Sequence, residues 1–186
     1  MDNQKELAND IVKSHVMYSL GAGLVPVPLL DIAAVSVVQL DMLRQLAKVY
    51  GQDFKESAGK SWISAITGST LARMGASLVK TIPGIGSILG GVTMSALSGA
   101  STYAIGQAFI WHFGTGGNFM DFNIEKAREI YEHEFEKGKK FAKEMARESE
   151  EEDPFKKLEK LAALKEKGVI TEEEFEEKKK RILSEI

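Results

Sequence analysis

Apolar positions recur at helical spacing along most of the chain. From Gln4 to about Leu20, Leu7, Ile11, Val12, His15, Val16 and Ser19 fall three and four apart, and Gly21 and Gly23 end the run. Pro26 and Pro28 exclude regular helix from the segment GAGLVPVP. A second helix is predicted from Pro28 or Leu29 to Tyr50, with Gly51 just past its end. Its first half, LLDIAAVSVV, is apolar all round apart from Asp31, and its second half is amphipathic. A third helix is expected from about Phe54 to Lys80, with Gly68 and Gly75 as candidate breaks. The turn IPGIG (82–86) precedes an uncharged fourth helix from 87 to about 112, and GTGGN (114–118) is a second turn. A fifth helix, 122–148, carries Ile124, Ala127, Ile130, Tyr131, Phe135, Phe141 and Met145 on one side.

Two short helices close the chain. Pro154 stands before the first, 155–167, and Gly168 ends it. Thr171 and Glu174 then form the capping-box pattern that opens the second. A hairpin over 155–186 is too small to bury a core alone. It is expected to dock through Leu158, Leu161, Leu164, Ile170, Phe175, Ile182 and Leu183, on its own chain or on a copy. The fold class is all-α: a compact bundle of long apolar Gly/Ala-rich helices (1–120), a charged connecting helix (121–148), a linker (149–154) and the hairpin (155–186).

Charge sharpens this division. The 186 residues carry 24 Lys and Arg against 27 Asp and Glu, a balance too even to draw nucleic acid or anionic lipid. Residues 1–120 hold 15 of these charges and residues 121–186 hold 36, while 81–120 hold none. Cysteine is absent, which removes disulfides, thiolate catalysis and thiolate metal sites. The start MDNQKELAND lacks the basic and apolar regions of a signal peptide. A cytoplasmic location is expected, peripheral or integral at the inner face of the cell membrane.

The core resembles the YcjF-like bacterial family, a domain of unknown function whose members sometimes follow an Era-like GTPase domain. The likeness rests on Ala22 to Asp31 (AGLVPVPLLD), Gln39 to Gly51 (QLDMLRQLAKVYG), Ile82 to Gly86 (IPGIG) and Thr102 to Gly106 (TYAIG), within about 8–115. The hairpin resembles the SHOCT module through LEKLAALKEKGVITEEEFEEKKKRIL (158–183). The first resemblance implies association with membranes or GTPases, and the second an oligomerisation or docking module. Neither brings a catalytic residue. With about ten residues before the core, a GTPase partner is expected to act in trans.

Motifs for chemistry are incomplete. Ala58-Gly59-Lys60-Ser61 resembles the end of a phosphate loop, but Phe54 stands where that loop needs glycine. Gly84, Gly86 and Gly90 have the wrong spacing for a dinucleotide turn. His133-Glu134 lacks a second His at metalloprotease spacing, and nothing resembles a nucleophile elbow. His112 beside Trp111 reads as a helix-end packing residue. The run Lys178 to Arg181 reads as a solvated helix face opposite Glu172–Glu174 and Glu176–Glu177. No catalytic residue, cofactor or metal is expected.

Asp31 is the sole Asp, Glu, Lys or Arg within 16–40. At mid-depth in lipid it would cost about 3 kcal/mol. At a helix N-terminus its carboxylate would meet free N–H groups; a buried polar contact or subunit interface is the other reading. The strongest interaction signal is a ladder of small residues. Ser87, Gly91, Ser95 and Gly99 lie four apart, as do Ala96, Ala100, Ala104 and Ala108, and Gly86 pairs with Gly90. Such faces let helices approach closely, in membranes or in tightly packed protein. Residues 85–113 are long enough to span hydrocarbon but only moderately apolar. The expected function is a non-enzymatic, self-associating scaffold that docks on a membrane or a partner. The alternative is a regulatory effector of a separately encoded GTPase.

Overall fold

The computed structural model describes residues 2–22, 28–78, 94–150 and 154–184. Among the described residues there are seven helices and no strand: α1 (Asp2–Ala22), α2 (Pro28–Val49), α3 (Glu56–Leu78), α4 (Met94–Gly114), α5 (Ile124–Glu150), α6 (Pro154–Glu166) and α7 (Glu172–Leu183). The all-α class holds. The expected turn at 82–86 and the start of the fourth helix lie outside the described residues.

Helix α4 is the axis of the bundle. Ala96, Ala100, Ala104, Ile105, Ala108 and Phe109 point to different sides, yet all are buried. A helix apolar all round is stable in water only when neighbours enclose it, and here α1, α2, α3 and α5 do so. The neighbours show one-sided patterns. On α1, Ala8, Val12, Val16 and Leu20 are buried at helical spacing. On α5, Ala127, Tyr131, Phe135, Ala142 and Met145 are buried, and the charged residues take the other face. The segment expected as a connecting helix is thus a packed member of the bundle. Helix α3 runs through Gly68 and Gly75 without a break.

Helices α1 and α2 are antiparallel. Gln4 Nε2 donates to the Val49 carbonyl (2.7 Å), and further along His15 meets Asp41. Helix α4 is antiparallel to α1, because Ser95 Oγ donates to the Leu20 carbonyl (2.6 Å) and Gln107 Nε2 donates to Asn9 Oδ1 (2.9 Å). The C-terminal end of α1 and the N-terminal ends of α2 and α4 therefore share one end of the bundle. At the other end Trp62 is stacked between Phe119 and Phe122, with ring centroids 4.7 and 4.4 Å away. Phe109 and Phe113 join this cluster. These two rings are core residues, while Trp111 on the same helix remains 37% exposed. His112 is buried, and its Nε2 donates to the Asn118 carbonyl (2.9 Å), holding the 115–123 connection against the helix end.

Candidate functional site: the docked hairpin and the polar seam

The small-residue positions on α4 close the bundle from within. A Cβ on Gly99 would stand 3.0 Å from the Ala142 Cβ, and a Cβ on Gly106 would run into Val12. Opposite them, Gly138 of α5 lies so close to α4 that a Cβ would be 2.8 Å from the Ala100 carbonyl oxygen. Ser95, Ala96, Ala100, Ala104 and Ala108 are buried with them. These residues pack against helices of the same chain. Gly86, Ser87, Gly90 and Gly91 lie outside the described residues. Asp31 occupies the fourth position of α2, and its side chain lies outside the described residues.

A buried polar seam crosses this apolar packing. Ser19 Oγ and Thr102 Oγ1 are 2.7 Å apart, linking α1 to α4. Gln39 Nε2 of α2 donates to Thr102 Oγ1 and Ser101 Oγ, each at 3.3 Å. Tyr131 Oη of α5 donates to Ser101 Oγ (3.1 Å). Four helices are thus tied by side chains that would be costly to leave unpaired. Burial pushes the Tyr131 phenol up to about 12, against the smaller lowering effect of its Ser101 bond.

The hairpin docks beside this seam, on α1 and α2. Leu161, Leu164, Val169 and Ile170 form a second apolar cluster with Val38 of α2; Tyr18, Ala34, Val35, Phe175 and Ile182 pack around it. Phe175 and Ile182 stand seven residues apart, hence on one face of α7. Leu183 is a further 100° round the helix and remains 46% exposed. It takes no part in the contact with the bundle. Leu158 is half-buried outside the cluster. Thr171 and Glu174 make both arms of the capping box, at 3.3 and 2.7 Å.

Lys167, at the tip of the hairpin, reaches across to α2. Its Nζ donates to Asp41 Oδ2 (2.9 Å) and lies 5.2 Å from the centroid of the Tyr18 ring. The same carboxylate oxygen accepts from Gln45 Nε2 (3.0 Å) and lies 3.1 Å from His15 Nε2. His15 is buried, and its Nδ1 donates to the Ile11 carbonyl (2.7 Å). Arg44 adds a looser ion pair to Asp41 at 3.7 Å. Burial alone would raise the Asp41 carboxyl, but the bonds and charges of Lys167 and His15 together hold it below its ordinary value. His15, Asp41 and Lys167 are separated by 26 and 126 positions, and no local motif announces them.

A groove of about 820 Å³ opens at the aromatic end between α1, α4 and α5, with Tyr50, Gln107, Ile110, Trp111, Ile130 and His133 among its lining residues. Its carboxylates are committed to their own helix: Glu129 to Lys126, and Glu134 to Lys137 and His133. Among the described residues no three His, Asp or Glu side chains converge as a metal site. Among them, too, no helix is long and apolar enough to cross a membrane.

The bundle has a counterpart among known sequences. Residues 1–140 match the family described as Domain of unknown function (DUF697). The chain belongs to DUF697. The family match runs beyond the expected 8–115 and takes in α5 as far as Lys140, which agrees with α5 being part of the bundle. Residues 156–183 match the Short C-terminal domain, SHOCT, covering the docked hairpin. The contact from Lys167 to Asp41 and His15 therefore joins the SHOCT hairpin to the DUF697 bundle. A curated relative, Magnetosome membrane protein 22 of Magnetospirillum gryphiswaldense, is 39% identical over 141 residues. The aligned region is 73% of this chain and 72% of that protein. No solved structure matches the chain.

Proposed function

We propose that this DUF697 protein is a non-enzymatic, self-associating scaffold that docks on a membrane surface. The observation that carries this reading is the relative named as a magnetosome membrane protein, alike over nearly three quarters of both chains. Two features support it. The end of the bundle where α1 finishes and α2 and α4 begin is formed by helix ends that carry no charged residue apart from Asp31. Docking, in contrast to spanning, suits the absence of a membrane-length apolar helix among the described residues. Self-association would use faces outside the bundle, since the described α4 ladder is already covered by α1 and α5.

Fractionation of the untagged protein from its cells tests the reading. Sedimentation with membranes, resistance to high salt and release by carbonate are expected. Retention after carbonate would replace docking with insertion. Recovery in the soluble fraction throughout would overturn the membrane reading. Light scattering on the released protein should give a mass above one chain, and a single-chain mass would remove self-association. Co-purification with a GTPase in a GTP-dependent manner would favour the effector alternative.

A further inference from the structure

We infer that the SHOCT hairpin is an autoinhibitory clasp, docked over an apolar face of α1 and α2 and held by Lys167 on the Asp41–His15 pair. The inference rests on the membrane-docking reading for what the opened face meets.

Three observations carry it. The turn and helix start of the hairpin are set by its own residues. Its turn is set by Gly168 at φ 68°, a left-handed conformation suited to glycine. The Thr171 capping box starts α7, and Lys165 pairs with Glu172 across the turn. Among the described residues the dock is narrow: Val38 is the bundle side chain fully buried in the hairpin cluster, and α7 contributes no fully buried residue. Its polar fastening stays within reach of water, with Lys167 34% and Asp41 26% exposed. Finally, the covered face reaches from mid-bundle toward the end assigned to docking. Tyr18 is one helical turn from Ala22 at the end of α1, and Ala34 and Val35 lie in the second turn of α2. Beside them Val37 remains 40% exposed, so the apolar face continues past the edge of the hairpin.

Opening would uncover Tyr18, Ala34, Val35 and Val38 together with Leu161, Leu164, Val169 and Ile170. Apolar area would then be available next to the docking end. The apparent affinity for a lipid surface would scale with the open fraction.

The test uses the full-length chain with Lys167→Glu, which sets a carboxylate against Asp41. A second chain carries Lys167→Arg, which keeps a cation against Asp41. Hydrogen exchange reads the clasp, and co-sedimentation with vesicles of phosphatidylethanolamine and phosphatidylglycerol reads docking. The Lys167→Glu chain should lose protection in 34–41 and 161–170 while α4 keeps its own. It should bind vesicles on the order of tenfold more tightly than the parent, and the Lys167→Arg chain should stay close to the parent in both readouts. Unchanged protection in the Lys167→Glu chain would overturn the catch. Lost protection with vesicle binding equal to the parent would overturn inhibition and leave membrane docking standing. Lost protection with no vesicle binding by any of the chains would overturn both readings.

Discussion

Two glycines on neighbouring helices make opposite demands on the same substitution. Gly138→Ala would gain helix propensity, worth about 1 kcal/mol. Its Cβ would also stand 2.8 Å from a backbone oxygen that cannot rotate away. Overpacking of this kind costs about 1–3 kcal/mol, so urea unfolding should show a net loss of stability. Gly68→Ala in α3 meets nothing within 4 Å and should stabilise by about 0.5–1 kcal/mol in the same assay. The buried phenol of Tyr131 gives a third expectation. Its folded value, about 12, lies above the ordinary Tyr value of 10.0, so the protonated form is the one that folding favours. The stabilising contribution is complete below about pH 10 and is lost as pH rises toward 12. A circular-dichroism pH titration should therefore show steeper alkaline unfolding in the parent than in Tyr131→Phe. That substitution should cost about 1 kcal/mol at neutral pH through the lost Ser101 bond.

At the scale of elements, the hairpin and the bundle should part company in acid. Asp41 is held below its ordinary value by Lys167 and His15. Its contribution is complete above about pH 4 and disappears as pH falls through the lower folded value. Exchange of the Val169 and Ile170 amides should accelerate there before that of Leu46 in the bundle. Asp41→Asn should expose the same amides at neutral pH and flatten the response. What the sequence could disclose divides along similar lines. The helix ends at Gly51 and Gly168 and the Thr171–Glu174 box are local, governed by residues within one turn of each other. The ladder on α4 was legible as a close-packing face because spacing determines which residues share a face. Spacing is silent on what covers that face, and α1 and α5 of the same chain do so. The seam of Ser19, Gln39, Ser101, Thr102 and Tyr131 was not legible, because each member is an ordinary polar residue until four helices meet. Asp41 and Lys167 stayed hidden for the same reason, and apolar character alone does not say whether Leu183 lies on the side of α7 that meets the bundle.

The whole molecule is polarised along its long axis. The hairpin dock reaches from the middle of the bundle toward one end; the other end is closed by aromatic rings and bears the groove. Charges of both signs run down the outer face of α5 between them. Both tryptophans belong to the aromatic end, but to different surroundings. Trp62 is stacked between two phenylalanines, and Trp111 faces the groove at 37% exposure. The intrinsic emission of the protein is therefore two signals with separate meanings. Trp62 should emit at shorter wavelength, resist acrylamide and change only when the bundle melts. Trp111 should be readily quenched and should respond to whatever enters the groove, so a Trp111→Phe chain would report folding alone.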